Sequence, residues 1–161
     1  MRGNSVDNLI EEDDVKASRL AIAVLATWVV RTVLNSVWFG VIMHPTFQKI
    51  YDAHPGMFRE VIPAFVIADL LFAAVFVALL AKVGGSMGGG VGAGLRLGAY
   101  IALIGPAIGA IYEYFSVTYV PAQIEVIDAV YMIVNGAIAG AVAGAVLKSA
   151  AAPKTMAAGT R

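Results

Sequence analysis

The sequence predicts an all-α fold, a four-helix transmembrane bundle, on three observations. Hydrophobic residues make up 60% of the 161 residues; counted with glycine and without tyrosine, the apolar share is about two thirds, against roughly 45–50% in soluble domains. Charged residues make up 14%, where ~25% is usual. Four apolar stretches approach the ~20 residues with which a helix crosses a bilayer. The alternation typical of a membrane barrel is absent, so the spans are predicted to be helices.

The apolar stretches divide the chain into a membrane domain and two polar tails. The first stretch is too long for a signal peptide and follows acidic residues rather than a basic region, so we expect it to be retained. The predicted spans cover about 20–43, 61–82, 95–117 and 124–147. They lie within a membrane domain of residues 18–148, between an acidic tail of residues 1–17 and a second tail of residues 149–161.

The distribution of lysine and arginine predicts that both termini are cytoplasmic. With an even number of spans, the two tails share a side with the connection between the second and third spans. That side carries Arg2, Lys16, Arg19, Lys82, Arg96, Lys148, Lys154 and Arg161. Only Lys49 and Arg59 lie on the other side, and short basic connections remain in the cytoplasm.

The two longer connections differ in composition. Residues 84–94, GGSMGGGVGAG, predict a flexible cytoplasmic linker. No Walker lysine follows these glycines and no strand precedes them, which argues against a phosphate-binding loop. On the outer side, residues 44–60 carry aromatic side chains that predict a short helix lying in the membrane interface.

Arg31 lies near the middle of the first span, where a charge costs at least ~2.5–3.5 kcal/mol on insertion scales and normally faces the bundle interior. Helical steps of three and four residues place further polar and aromatic side chains on the same face as Arg31. This face carries Thr27, Trp28, Arg31, Asn35 and Trp38, whereas the lipid-facing stripe carries Ile22, Leu25, Val29 and Val33.

Polar residues in the other spans predict that Arg31 belongs to a buried polar column. Counted from the outer interface, Asp69 lies nearer the surface than Arg31, so we expect Asn35 or water to bridge the two. The predicted column consists of Arg31, Asn35, Asp69, Glu113, Asp128, Tyr131 and Asn135. It is interpreted either as a site for a proton, ion or small polar solute, or as a set of bonds that fixes helix register.

The last span contains a doubled GxxxG pattern at Gly136, Gly140 and Gly144, which allows close helix contact. We expect a partner within the same bundle, with Gly105 and Gly109 of the third span as the contact; a homodimer or a larger complex is the alternative. In the third span, Pro106 removes a backbone donor and is expected to kink the helix.

Composition narrows the classes of function. The eleven basic and eleven acidic residues cancel, so no nucleic-acid partner is expected, and the chain has no cysteine. We expect no cofactor and no metal, because His44 and His54 are interpreted as loop residues. No nucleophile and base pair is recognised, so an enzyme that uses Glu113, Asp128 and the two histidines near the outer face ranks below a solute-binding protein or an accessory subunit. The expected partners are the lipid bilayer and a homo-oligomer or larger membrane complex.

Several segments together resemble a known group of proteins. They are VWFGVIMHPTFQKIY at the end of the first span, the acid of the second span, GLRLGAYIALIGPAIGAIYEYF in the third and the glycine-rich fourth span. With this layout, residues 20–147 resemble the small four-helix bacterial inner-membrane proteins grouped as domains of unknown function. The resemblance implies a bacterial inner-membrane location and no particular activity.

Overall fold

The computed structural model describes residues 4–56, 62–109, 112 and 120–148, and the all-α prediction is confirmed for this part of the chain, which contains no strand. The α-helices are α1 (Asn4–Val37), α2 (His44–Ala53), α3 (Ile62–Val83), α4 (Gly90–Ala102) and α5 (Ala122–Lys148).

Three helical segments are long and apolar enough to cross a membrane: Ala17–Ile42, Pro63–Met87 and Ala122–Lys148. They coincide with three of the predicted spans and indicate a membrane protein. The predicted third span, 95–117, is represented by a shorter apolar helix over Gly90–Pro106, and most of its second half lies outside the described residues.

Two π-helical segments extend the α-helices. Trp38–Ile42 continues α1, and Leu103–Ala107 continues α4 and contains Pro106. Proline has no N–H to donate to the α-helical ladder, so the expected disturbance at Pro106 takes the form of a π turn. After the first π segment, only Met43 separates α1 from the start of α2.

The glycine-rich tract forms an ordered turn where a flexible linker was expected. A 3-10 turn over Gly84–Met87 is closed by a hydrogen bond from Gly89 N–H to the Gly84 carbonyl oxygen at 2.8 Å. Gly88 and Gly89 have φ values of 88° and 66°, which glycine adopts without the steric cost that a side chain brings. Helix α4 therefore begins at Gly90, before the predicted start of the third span.

Helix α1 packs against both α3 and α5, and α4 packs mainly against α5. The buried apolar core joins Ala23, Phe76, Val77, Leu80, Ala93 and Ala143 from four helices. The opposite stripe of α1 is exposed, with Ile22, Leu25, Val29 and Val33 each 51–55% accessible. Helix α1 therefore has a buried side, with Thr27 and Arg31, opposite the exposed stripe that the sequence assigns to lipid.

The glycines of α5 lie against α4 at backbone distance. A Cβ atom added to Gly94 would collide with the carbonyl oxygen of Gly140, and one added to Gly140 would collide with the carbonyl oxygen of Gly94. The same reciprocal contact joins Gly98 to Gly136, while a Cβ on Gly144 would meet the backbone of Gly90. Because a methyl group cannot fit, this helix pair depends on glycine.

The expected partners Gly105 and Gly109 take no part in this contact, and that expectation is corrected: a Cβ atom on either would meet nothing within 4 Å. Gly105 lies within the π segment and Gly109 follows it. A π turn has more residues per turn than an α-helix, so it rotates the residues after it away from the face of α4 that contacts α5.

Candidate functional site

Helix α1 supplies the first part of a buried polar site. Arg31 and Asn35 are one helical turn apart on the side of α1 that faces α3 and α5. Arg31 is only 8% exposed although it lies in an apolar span. A buried guanidinium requires an acceptor or an opposite charge within reach.

Asp69 of α3 provides that charge through direct contact. Arg31 Nε donates to Asp69 Oδ1 at 2.6 Å, and Asn35 Nδ2 donates to Oδ2 at 2.9 Å. The expectation that Asn35 or water bridges Arg31 and Asp69 is therefore corrected, since Asn35 adds a second donor to a pair already in contact. Both carboxylate oxygens of Asp69 therefore accept a hydrogen bond from α1.

Phe72, one turn after Asp69 on α3, completes the surroundings of Arg31. The guanidinium carbon Cζ lies 4.1 Å from the centre of the Phe72 ring. The negative face of an aromatic ring attracts a cation, most strongly where water is excluded. Arg31 is thus held by a carboxylate on one side and by a ring face on another.

Asn35 connects this pair to α5. Its Oδ1 accepts hydrogen bonds from Tyr131 Oη at 3.0 Å and from Asn135 Nδ2 at 2.6 Å, and Asn135 Nδ2 also lies 2.8 Å from Tyr131 Oη. The side chains of Arg31, Asn35, Asp69, Tyr131 and Asn135, here called the polar cluster, therefore link α1, α3 and α5. In the part of the chain that the structure describes, helix α4 contributes no side chain to these hydrogen bonds.

Trp38 connects Asp128, the remaining predicted site residue on α5, to the polar cluster. Its Nε1 donates to Asp128 Oδ1 at 2.9 Å, and its ring is stacked on Tyr131 with centroids 4.2 Å apart and an interplanar angle of 1°. Asp128 lies beyond Tyr131 and reaches the cluster through these two rings. The other predicted acid of the column, Glu113, lies outside the described residues.

Two residues that contact the polar cluster, and one buried acid of α5, were not among the predicted site residues. Trp38 was assigned to the inward face of α1, but a tryptophan near a span end is usually an interfacial anchor. Phe72 is three residues after Asp69, a spacing that places both on one helix face. Glu125, in the first turn of α5, is only 8% exposed, and its spacing of three residues from Asp128 was the available signal.

Two polar atoms of the cluster lack a hydrogen-bond partner among the described residues: Arg31 Nη1 and Asn135 Oδ1. Thr32 Oγ1, beside Arg31, is a third such atom. An unsatisfied buried polar group typically costs about 1–3 kcal/mol. The cluster therefore retains a donor on a cationic side chain and an acceptor on an amide.

The outer connection contains no comparable arrangement in its described part. His44 is exposed at the start of α2, and His54 Nδ1 lies 3.0 Å from the Ile50 carbonyl oxygen. Within the described ranges, no three His, Cys, Asp or Glu side chains form a group that could hold a metal ion.

The long apolar helices and the buried charges together indicate a helical membrane protein with a polar interior. Comparison with protein-family models, with curated proteins and with solved structures gives no match.

Proposed function

We propose that this chain is a four-span integral protein of the bacterial inner membrane whose polar cluster binds or passes a small polar solute, ion or proton. In this proposal both termini are cytoplasmic, as the distribution of basic residues favours. The shorter apolar helix over Gly90–Pro106 belongs to the remaining span. Four helices enclose little volume, which favours an oligomer.

The observation that carries the proposal is the pair of unpartnered atoms, Arg31 Nη1 and Asn135 Oδ1. Polar groups that serve only to fix helix register gain by being fully paired, because each unpaired group destabilises the protein. The polar cluster instead keeps one donor and one acceptor without a partner among the described residues. These atoms can bind a solute that has both an acceptor and a donor.

The charges of the cluster favour a polar solute over a proton relay. Arg31 and Asp69 neutralise one another, so the pair attracts neither sign of ion strongly at a distance. Both oxygens of Asp69 already accept hydrogen bonds from α1, so this carboxylate is engaged within the protein. We therefore rank an uncharged polar solute first, a small ion second and a proton third.

The alternative role, an accessory subunit that packs through Gly136, Gly140 and Gly144, receives less support. These glycines are in backbone contact with α4 of the same chain, so a partner helix would have to displace α4. Another surface of the protein could still bind a partner, but the glycine pattern gives no support for that role.

The proposal is tested by reconstituting the full chain into liposomes and measuring the passage of glycerol and urea by osmotic swelling, of Na⁺ and K⁺ by ion-selective dyes, and of protons by an internal pH dye. Wild-type protein is expected to pass at least one of these probes faster than protein-free liposomes. Arg31→Lys, which keeps the charge but lacks Nη1, and Asn135→Leu are expected to reduce that passage. Val134→Leu, at an exposed position beside Asn135, is the matched control.

Two results would overturn the proposal. One is that no probe passes faster than through protein-free liposomes and that no probe raises the thermal stability of the wild-type protein, since a bound solute stabilises the folded state. The other is that Arg31→Lys and Asn135→Leu, inserted at wild-type levels, pass the probe as fast as Val134→Leu.

A further inference from the structure

A pair of stacked rings adjoins the polar cluster at one end. Trp38 is three residues beyond Asn35 on α1, about 4.5 Å along the helix axis, and Tyr131 stacks against it from α5. Because α1 and α5 are antiparallel, this ring pair lies between the cluster and the end of the bundle that carries α2. A solute entering from that end meets the two rings first.

Each ring of the pair is held by one hydrogen bond besides the stacking contact. Trp38 Nε1 donates to Asp128 on the side away from the cluster, and Tyr131 Oη donates to Asn35 on the cluster side. Tyr131 therefore belongs both to the polar cluster and to the stacked ring pair. Its Oη lies in contact with Asn35 and Asn135, the residues that connect α1 to α5.

The backbone beside Trp38 is a π-helix, in which the Met43 N–H donates to the Trp38 carbonyl oxygen at 2.8 Å. Short π segments are rare and occur frequently at functional sites. The segment forms the junction between α1 and α2, so a change in the position of α2 acts on the backbone that carries Trp38.

A series of ring contacts continues from Tyr131 to the surface. The Phe39 ring meets Tyr131 edge to face at 6.0 Å, Phe47 of α2 lies 5.9 Å from Phe39, and Tyr51 lies 6.2 Å from Phe47. We call Trp38, Tyr131, Phe39, Phe47 and Tyr51 the aromatic ladder. These distances are typical of interacting aromatic pairs, so α2 is packed onto the ring pair through side chains as well as through the backbone.

We propose that the stacked Trp38 and Tyr131 rings are the gate of the polar cluster and that α2 holds this gate closed through the aromatic ladder. This inference rests on the proposed function, because a gate regulates access to a binding site. The gate opens when Trp38 leaves Asp128 and Tyr131, and solute then reaches the cluster from the α2 end.

The test uses the absence of natural cysteine, which makes an introduced thiol unique. Asn135→Cys reports access to the cluster through its rate of reaction with a small water-soluble methanethiosulfonate in nanodiscs. Since that rate scales with the accessible fraction, adding Trp38→Ala should raise it by about tenfold or more. Trp38→Phe retains a ring, and Phe47→Ala disrupts the ladder at a distance, so both should give smaller increases.

The matched control is Trp28→Ala in the same cysteine background. Trp28 is the other tryptophan of α1, is also partly buried and donates to the Val66 carbonyl oxygen at 3.2 Å, but it lies on the far side of Arg31 from α2. A reaction rate with Trp38→Ala no higher than with Trp28→Ala would overturn the gate. This measurement requires no solute, so its failure is separate from a failure of the liposome experiment.

A second measurement avoids the change at Asn135. In Trp28→Phe protein, Trp38 is the sole tryptophan, and its fluorescence quenching by acrylamide reports how often it leaves the stack. Asp128→Ala should increase quenching, while Gln123→Ala, at an exposed position near the start of α5, should not. Equal quenching in the two variants would contradict the gate.

Discussion

Asn135 of α5 donates from its side-chain amide to Oδ1 of Asn35 on α1 at 2.6 Å, within a span that is otherwise largely apolar. Asn35 passes the connection on to Asp69 of α3 through its own amide nitrogen. The two functional groups of one asparagine therefore hold three helices together, and the direction of each bond fixes the orientation of the Asn35 amide.

Asn35→Leu should destabilise the protein by about 2 kcal/mol, since it removes three hydrogen bonds worth ~0.6 kcal/mol each on average in membranes. The measurement is reversible unfolding in micelles. Ser36→Leu, at the adjacent exposed position, is the control and should change stability little. Equal losses in the two variants would show that Asn35 is not the connecting residue.

The contact between α4 and α5 predicts opposite effects at two nearby glycines. Gly94→Ala should destabilise by about 1–3 kcal/mol, because its methyl group collides with the Gly140 carbonyl. Gly92→Ala on the same helix meets nothing within 4 Å and should be neutral or stabilise slightly, since alanine favours helix. Thermal unfolding of both variants decides the matter; a tolerated Gly94→Ala would contradict the close approach.

The contact between Arg31 and the Phe72 ring predicts a difference in stability between two phenylalanine variants. Phe72→Leu should lower the free energy of unfolding by about 2 kcal/mol more than Phe65→Leu, the amount expected for a cation over a desolvated ring. Phe65 is on the same helix and 71% exposed, so it controls for the loss of an aromatic side chain. If replacing both Arg31 and Phe72 gives the sum of the single effects, the ring and the guanidinium do not interact.

The sequence predicts side-chain positions best where the alternative would cost much free energy. A charge in an apolar span must face inward, so Arg31 fixed the buried side of α1, and steps of three and four residues then included Asn35 and Trp38. The same argument brought together Asp69, Tyr131 and Asn135, all of which lie in the polar cluster. Counting depth from uncertain span ends was less accurate, and it placed Asp69 out of direct reach of Arg31.

The residues at which two helices contact each other could not be predicted from local sequence patterns. The pairing of Gly94 with Gly140 depends on the register between α4 and α5, which local patterns do not specify, and the glycine-rich tract matched the composition of a flexible linker. The π turn near Pro106 also altered the face presented by later residues. The bond from Trp38 to Asp128 likewise arises from tertiary packing, because the two residues are far apart in the chain.

The most direct test of the central claim replaces both charges at once by apolar residues of similar size, Arg31→Met with Asp69→Leu. Removing one partner of a buried ion pair costs about 3–5 kcal/mol, whereas replacing both is often neutral or stabilising, so the double variant should fold as stably as the wild type. We predict that it inserts normally and no longer passes the solute that the wild-type protein passes in liposomes. Passage at the wild-type rate would show that the buried charges serve the structure alone and would contradict the account.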